Sequence, residues 1–277
     1  SEPIKREKFI LNLSILILPQ IALAKKFQPT SQEVESVLKN IAWDDQQSFR
    51  RSDFDRLDES DDSDFYNKPK FVEHIDQSAV AALKRFNANL VDEMTKNSRP
   101  PGILDLCSSH VSHLPELYTG SPEGPRVAGL GMNMEELTMN KQLTEYAVRD
   151  LNKNPQLPYF DDSFDLVICS LSIDYLTSPL QILKEVGRVL RSGGKAAVVF
   201  SDRLFLTKAV SIWTGKGDLD HIITVGEYFH YCDGGFDLPV SIDLMKGEKK
   251  KGDPLYAVVA EKIRGQRKLD LKIKNKK

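Results

Sequence analysis

The second half of the chain alternates between short apolar runs and apolar residues at helical spacing. Residues 164–170 form a short run rich in Val and Ile, which predicts a strand buried on both faces. From Pro179, apolar residues recur at helical spacing, and Ser192-Gly193-Gly194 is predicted to end this helix. Residues 196–200 are predicted to form the next buried strand. These elements make a right-handed parallel unit of strand, crossover helix and strand.

Three motifs in the same region occur together. They are LPY at residues 157–159, DSFD at 162–165 and RVLRSGG at 188–194. As a set they resemble the class I S-adenosylmethionine-dependent methyltransferases, in the methyltransferase type 11 branch that includes enzymes of ubiquinone and menaquinone biosynthesis. Residues 53–76 and 105–115 additionally resemble a plant and algal plastid group within this family.

The resemblance implies a fold class. Residues 102–107, 126–132 and 148–150 match the first three strands of the family, and residues 236–244 and 254–262 match its last hairpin. We therefore expect an α/β fold with a Rossmann-like, seven-stranded, mostly parallel sheet, helices on both faces and an antiparallel C-terminal hairpin. The predicted organisation is a targeting segment at 1–24, a helical cap at 25–98, a methyltransferase-like domain at 99–263 and a basic flexible tail at 264–277.

The resemblance also implies S-adenosylmethionine as the cofactor. In an open parallel sheet, ligands bind beyond the C-terminal ends of the strands, here between the first and the fourth. Asp150 matches the acid that contacts adenine, and Leu151 follows it with a backbone amide for the ring. For Asp105, ligand contact and capping of the following loop through backbone amides are equally open. The predicted cofactor-binding residues are Asp105, Cys107, Ser108, Gly131, Met132, Asn133, Asp150, Leu151, Ser170 and His74.

The chain departs from the family pattern at two places. The loop that begins at Cys107 has no glycine, although glycines there let the backbone lie against the cofactor. Gly131 stands where the family has an acid that accepts hydrogen bonds from both ribose hydroxyls. We expect His110 and His113 to point away from the ligand. We also expect the missing carboxylate to weaken binding by about 1.5–3 kcal/mol.

Methyl transfer from a sulfonium is an in-line displacement, so aligning the acceptor with the methyl carbon supplies much of the acceleration. A catalytic base is therefore optional. For a hydroxyl acceptor, the predicted catalytic residues are Asp174, His221 and His230, and each has a structural role as its alternative. Aromatic residues that suit either a flat or prenylated acceptor or core packing are Tyr175, Trp213, Tyr228, Phe229 and Tyr231.

Cysteine and charge add further expectations. Three cysteines predict no disulfide framework, no His/Cys spacing predicts a metal site, and Cys107 and Cys169 are expected to lie near each other on neighbouring strands. A formal net charge of −2 gives no general signal of nucleic-acid binding. The acidic run at 53–64 is expected to be a solvated loop, and the basic residues at 248–251 and 262–277 a loop and a frayed tail.

The first residues have the pattern of a targeting signal. Basic residues at 5–8 precede an apolar run at 9–23, and Ala22-Leu23-Ala24 suits an export peptidase. With the plastid resemblance, this predicts the second part of a two-step signal for the chloroplast, directed to the thylakoid lumen. The alternatives are a plastid presequence remnant and a peripheral membrane anchor.

Two functions follow as expectations. The first is an S-adenosylmethionine-dependent methyltransferase acting on a small molecule in the chloroplast, with a quinone, isoprenoid or phenolic as acceptor. The alternative is a catalytically inactive methyltransferase-like protein that serves binding or assembly in the plastid or thylakoid. We expect a small-molecule acceptor and peripheral thylakoid association, and no nucleic acid, while the oligomeric state stays open.

Overall fold

The structure is a computed structural model that describes residues 28–95, 99–248 and 252–263. The predicted targeting segment at 1–24 and the predicted basic tail at 264–277 lie outside the described residues, as do residues 249–251. Within the described ranges, no helix combines the length and the apolar character needed to cross a membrane.

The described chain forms strands and helices in an alternating order. Two short 3-10 turns lie at Arg51–Phe54 and Ile173–Tyr175. The elements are α1 (Ser31–Val37), α2 (Asp62–Phe65), α3 (Gln77–Thr95), β1 (Ile103–Leu106), β2 (Val127–Gly131), α4 (Met134–Met139), β3 (Glu145–Val148), β4 (Phe164–Ser170), α5 (Pro179–Val189), β5 (Leu190–Ser201), α6 (Asp218–Tyr231), β6 (Val240–Asp243) and β7 (Leu255–Glu261).

The strands form one seven-stranded sheet in the order β3-β2-β1-β4-β5-β7-β6. The pairs among β1 to β5 are parallel, and β7 is antiparallel to both β5 and β6. This confirms the predicted fold class, including the C-terminal hairpin. It also confirms that the first and fourth strands are neighbours, so the chain reverses direction across the sheet between β1 and β4.

The sheet separates two hydrophobic cores. Successive residues of one strand face opposite sides of the sheet, so Leu104 lies in one core and Ile103 in the other. In β4, Val167 likewise lies in the first core and Leu166 in the second. Helices α1, α5 and α6 pack on the first face, and α3 packs on the second. Burial on both sides explains why β1, β2 and β4 are almost continuously apolar.

One predicted boundary is wrong. Helix α5 ends at Val189, and Ser192-Gly193-Gly194 lies inside β5 instead of forming the turn after the helix. Gly193 has a φ of 81° and its N–H donates to the Lys262 carbonyl at 2.9 Å. The Lys262 N–H in turn donates to the Gly194 carbonyl at 2.8 Å. The glycines therefore pair with the chain that follows β7, a partner that local sequence does not reveal.

The acidic run predicted to be a solvated loop is instead docked on the domain. We call residues 50–66 the acidic strap. The Asp58 N–H donates to the Thr207 carbonyl at 2.8 Å, and the Ser211 N–H donates to the Asp55 carbonyl at 2.8 Å. An isolated β-bridge joins Arg56 to Val210. Backbone hydrogen bonds thus fix the strap along residues 207–212.

Asp62, at the centre of the acidic strap, is 3% exposed. Arg56 donates to both of its carboxylate oxygens at 2.8 Å, Asn152 donates at 2.8 Å, and the Lys208 ammonium lies 3.2 Å away. Lys208 is itself fully buried and also donates to the Ser60 carbonyl at 2.7 Å. A buried charge of this kind is tolerated only because it is paired and hydrogen-bonded.

Replacing Lys208 with Met should therefore destabilise the protein by about 3–5 kcal/mol, because the buried Asp62 carboxylate loses one of the cations paired with it and the Ser60 carbonyl loses its donor. The free energy of unfolding is measured by urea denaturation. The matched control is Lys153→Met, which removes an ion pair between Asp61 and an exposed lysine and should leave the free energy of unfolding nearly unchanged. Equal effects of the two substitutions would contradict a clamping role for Lys208.

Candidate functional site

A cavity of about 360 Å³ opens at the C-terminal ends of β1, β2 and β4. Its volume lies within the usual range for small-molecule sites. Besides the strand ends, it is lined by the end of the acidic strap, by residues 70–74 and by residues 203–205. All of the predicted cofactor-binding residues line it, namely Asp105, Cys107, Ser108, Gly131, Met132, Asn133, Asp150, Leu151, Ser170 and His74.

The two carboxylate oxygens of Asp150 differ in their hydrogen bonding. The Arg149 N–H donates to the Gly131 carbonyl at 2.8 Å, which brings the next residue, Asp150, to the end of β2. Its Oδ1 accepts from the backbone N–H groups of Asn152 at 2.9 Å and Lys153 at 3.3 Å. Its Oδ2 is buried and has no hydrogen-bond partner among the described residues, and the Lys153 ammonium lies 3.8 Å from it. A buried acceptor without a donor is unfavourable, so a ligand N–H at this position would be stabilising.

Asp105 holds the loop after β1. It is buried and accepts from the hydroxyls of Ser108 at 2.6 Å and Ser112 at 2.7 Å. Burial raises the pKa of Asp105 to about 6, and the two hydroxyls oppose that shift. Of the two open interpretations, the structure thus favours organisation of the loop, by serine hydroxyls and not by the backbone amides that we expected.

The expectation that His110 and His113 point away from the site is wrong, since both line the cavity. His113 is 7% exposed, and its Nε2 lies 3.3 Å from a carboxylate oxygen of Glu73. Burial lowers the pKa of His113, and Glu73 opposes this. His110 lies edge-on to Phe71. The loop is therefore built from hydrogen-bonding side chains that face the ligand space, where the family has glycines.

Gly131 has no room for the acid that the family pattern calls for. A Cβ at this position would lie 2.1 Å from the Ser108 carbonyl oxygen and 3.2 Å from a methyl group of Leu137. The loop takes this path because the Ser108 N–H donates to the Leu130 carbonyl at 2.8 Å. The two departures from the family pattern are therefore one structural change, in which the loop after β1 crosses the end of β2.

Sequence reasoning missed a carboxylate close to this crossing. Glu136 of α4 lines the cavity. One of its oxygens accepts from the Lys70 N–H at 2.7 Å and the other from the Ser109 hydroxyl at 2.6 Å. The sequence feature that could have indicated Glu136 is Asn133, a typical helix-capping residue that follows β2. Its side chain caps α4 by accepting from the Glu136 N–H at 3.1 Å, which places the first turn of α4 next to the strand ends.

The predicted catalytic residues are not brought together. Asp174 is 3% exposed and is not part of the cavity lining. Its Oδ2 has no hydrogen-bond partner within the described ranges, and burial raises its pKa to about 7. His221 stacks on Trp213 in the core, with ring centroids 4.1 Å apart. His230 is exposed and stacks on Trp43 at 4.9 Å. Neither histidine lines the cavity, and their positions match the structural alternative.

Of the aromatic candidates, some line the cavity and others pack in the core. Tyr175 lines the cavity, whereas the rings of Trp213, Tyr228 and Phe229 are buried in the core. Tyr231 donates its hydroxyl to the Asp44 carbonyl at 3.0 Å. A cleft aromatic that sequence reasoning missed is Phe205, which lies in a loop without any motif.

Cys107 and Cys169 lie near each other, as predicted. Leu106 is paired in register with Cys169, and Cys107 follows directly and lines the cavity. Both cysteines are free thiols. A hydrogen bond with Cys107, together with burial, raises the pKa of the Cys169 thiol well above its usual value. Thiol chemistry at Cys169 is therefore suppressed at neutral pH.

Comparison with known proteins agrees with this geometry. Residues 107–198 match a family profile described as a methyltransferase domain, which covers the chain from the loop after β1 to the middle of β5. Over these residues the chain is similar to a methyltransferase domain. Such a domain takes its methyl group from S-adenosylmethionine, which is the cofactor that the match indicates.

Individual relatives are distant. A demethylmenaquinone methyltransferase of Alkalihalophilus pseudofirmus is 26% identical over 125 residues, which are 43% of this chain and 53% of the relative. The chain spans about half the length of the curated relatives it matches. Similar solved structures include the 4+2 cyclase SpnF, with 15% identity and a TM-score of 0.46 over 66% of this chain and 82% of its own. A TehB-like SAM-dependent methyltransferase of Corynebacterium glutamicum has 19% identity and a TM-score of 0.43 over 64% and 86%.

Asp174 should make stability depend on pH. Its raised pKa means that the folded protein binds more protons than the unfolded chain between about pH 4 and pH 7, so the free energy of unfolding falls as pH rises through this window. Asp174→Asn removes this titration. The free energy of unfolding of the variant relative to the wild type should rise by roughly 2–4 kcal/mol from pH 4 to pH 8. A constant difference across that range, measured by urea denaturation, would contradict a buried, protonated carboxyl.

Substitution of Gly131 should be poorly tolerated. Gly131→Ala forces its Cβ into the Ser108 carbonyl and should cost about 1–3 kcal/mol of stability. Gly131→Asp should cost at least as much and should not strengthen S-adenosylmethionine binding. The control is Gly102→Ala, whose Cβ would meet no atom closer than 3.6 Å. Thermal melting that shows the same midpoint for the Gly131→Ala and Gly102→Ala variants would refute the predicted crowding.

Proposed function

We propose that this protein is an S-adenosylmethionine-dependent methyltransferase that acts on a small molecule such as a quinone, an isoprenoid or a phenolic. The observation that carries the proposal is Asp150, a residue of the cavity lining whose buried Oδ2 has no hydrogen-bond partner among the described residues. In the matched family the corresponding acid accepts from the adenine amino group, which is a donor of the required kind.

The residues present fit the cofactor at its adenine end. Asp150 would accept from the amino group, and Leu151 would bound the ring from the buried side. Position 131 cannot supply a carboxylate for the ribose hydroxyls. Glu136 of α4 lines the cavity and would supply a carboxylate in its place. When bound, S-adenosylmethionine supplies an electrophilic methyl carbon on a sulfonium.

The chain's own contribution is to hold and orient the acceptor. Tyr175 and Phe205 line the cavity with ring centroids 5.9 Å apart, so a flat acceptor has aromatic surface to pack against. Holding the acceptor in line with the methyl group lowers the entropic part of the activation barrier, because the two reactants are already bound in the reactive orientation. For an acceptor that must lose a proton, His74 is available, because desolvation lowers its pKa and favours the neutral, proton-accepting ring.

Isothermal titration of the full chain with S-adenosylmethionine and S-adenosylhomocysteine tests this proposal. The wild type should bind at micromolar concentration, and Asp150→Ala should weaken binding at least tenfold because the adenine amino group loses its acceptor. Asp161→Ala, which removes an exposed carboxylate, is the matched control and should bind as the wild type does. Absence of heat at millimolar ligand would overturn the proposal.

The second candidate is a methyltransferase-like protein that binds or assembles without transferring a methyl group. It is favoured by the close approach of the Ser108 carbonyl to Gly131, which leaves no room at position 131 for a carboxylate that would bind the ribose. Where such a protein no longer admits the cofactor, it shows no heat with either ligand in the titration above. Absence of heat therefore favours this candidate over the first.

We also propose a chloroplast location with peripheral thylakoid association. Its support is the sequence of residues 1–24 and the resemblance to a plastid group, both of which come from sequence alone. Imaging of a C-terminal fluorescent fusion tests it, and a cytosolic signal would contradict it.

A further inference from the structure

An aromatic cluster forms one wall of the cleft. Phe205 is at its centre, with ring-centroid distances of 5.3 Å to Phe65, 5.6 Å to His74 and 5.9 Å to Tyr175. Tyr66 joins the cluster through Phe65 at 4.9 Å. All of these except Phe65 line the cavity. The cluster therefore presents ring faces and edges to any molecule that enters from this side.

A cation lies inside this cluster. The ammonium nitrogen of Lys70 is 4.0 Å from the ring centroid of Phe65, 5.2 Å from that of Tyr66 and 5.1 Å from that of Phe205. The backbone positions it, because the Lys70 N–H donates to Glu136 at 2.7 Å. Attraction between the ammonium and the ring faces holds the side chain in place without using its N–H donors.

Lys70 has no ion-pair partner among the described residues, unlike two other charged groups of the cavity lining. Asp62 is paired with Arg56 and Lys208, and Arg203 is paired with Asp253. The carboxylate of Glu136 is satisfied by neutral donors, the Lys70 N–H and the Ser109 hydroxyl. Across the described ranges, no carboxylate forms an ion pair with Lys70. Its ammonium makes one hydrogen bond, to the Phe65 carbonyl at 3.4 Å. A lysine has three N–H donors, so two remain for a ligand.

We propose that Lys70 and the rings around it form an anion subsite, which binds the negatively charged oxygen of a flat acceptor such as a phenolate or an aromatic carboxylate. As a statement about the methyl acceptor, this rests on the proposed function. As a statement about ligand binding, it does not, because the subsite is complete without the cofactor.

The arrangement selects against a cationic acceptor. A second positive charge would be repelled by the ammonium, which already occupies the ring faces that would attract it. A planar anion meets no such conflict, since its ring packs against Phe205 and Tyr175 while its oxygen accepts from Lys70. An ammonium beside a phenol also lowers the pKa of that phenol, which favours the more nucleophilic phenolate.

Titration of the full chain with two probes of the same shape and opposite charge tests the subsite. The probes are 2-naphthoate and protonated 2-naphthylmethylamine. The wild type should bind the anion at least tenfold more tightly than the cation, and Lys70→Met should remove that preference. Lys70→Arg should retain it, because the guanidinium keeps both the charge and the donors.

The matched control is Lys68→Met, which removes the same charge from an exposed residue of the same loop and should leave binding of both probes unchanged. An equal loss in the Lys68→Met and Lys70→Met variants would overturn the proposal, because it would show a general charge effect. A wild type that prefers the cation would overturn it as well. Should Lys70→Met not fold, Phe205→Leu provides the second variant, and unchanged anion affinity in that variant would count against the aromatic wall.

The same samples are titrated with S-adenosylhomocysteine. Bound S-adenosylhomocysteine with no preference for the anion would overturn the subsite and leave the proposed function intact. Bound 2-naphthoate without S-adenosylhomocysteine would overturn the proposed function and leave the subsite intact. The two failures are therefore distinguishable.

Discussion

The buried carboxylate of Asp62 is the interaction on which the cleft depends. Its partners come from three separate parts of the chain, namely Arg56 within the acidic strap, Asn152 in the turn after β3 and Lys208 in the segment after β5. An unpaired charge at this depth would be strongly unfavourable. Keeping the Asp62 carboxylate paired therefore requires that the three parts of the chain stay in contact. The Asn152 side chain also accepts from the Thr177 N–H at 2.8 Å, which extends the clamp to the start of α5.

The loop after β1 sets what the cleft can bind. In a glycine-rich loop the backbone itself approaches the ligand, whereas here Asp105, Ser108 and Ser112 tie the loop together with side-chain hydrogen bonds. That path brings the Ser108 carbonyl against Gly131 and removes the space for a ribose acid. Asp150 keeps a buried carboxylate oxygen without a hydrogen-bond partner among the described residues. The cleft therefore combines this acceptor with a crowded position 131 and a polar, histidine-bearing wall.

Much of the fold could be predicted because buried parallel strands have a simple signature. The apolar run of β4 and the motif around Arg188 indicated the central unit, and the positions of the strand ends indicated Asp150, which lines the cavity.

Long-range partners could not be predicted. The acidic strap looked like a solvated loop because nothing near residues 53–64 shows that Lys208 will be buried against them. Lys70 and Glu136 were missed for the same reason. The Lys70 N–H donates to the Glu136 carboxylate, and the two residues are more than sixty positions apart in the sequence. His221 was overestimated because a lone histidine carries no information about the Trp213 ring on which it stacks.

The central claim is that this cleft holds S-adenosylmethionine through Asp150 despite the altered loop. A crystal structure of the full chain grown with S-adenosylhomocysteine tests it most directly. The account predicts the adenine amino group at about 2.9 Å from Asp150 Oδ2, with the Ser108 carbonyl still against Gly131. A ligand bound elsewhere, or a cleft that remains empty at saturating ligand, would contradict it.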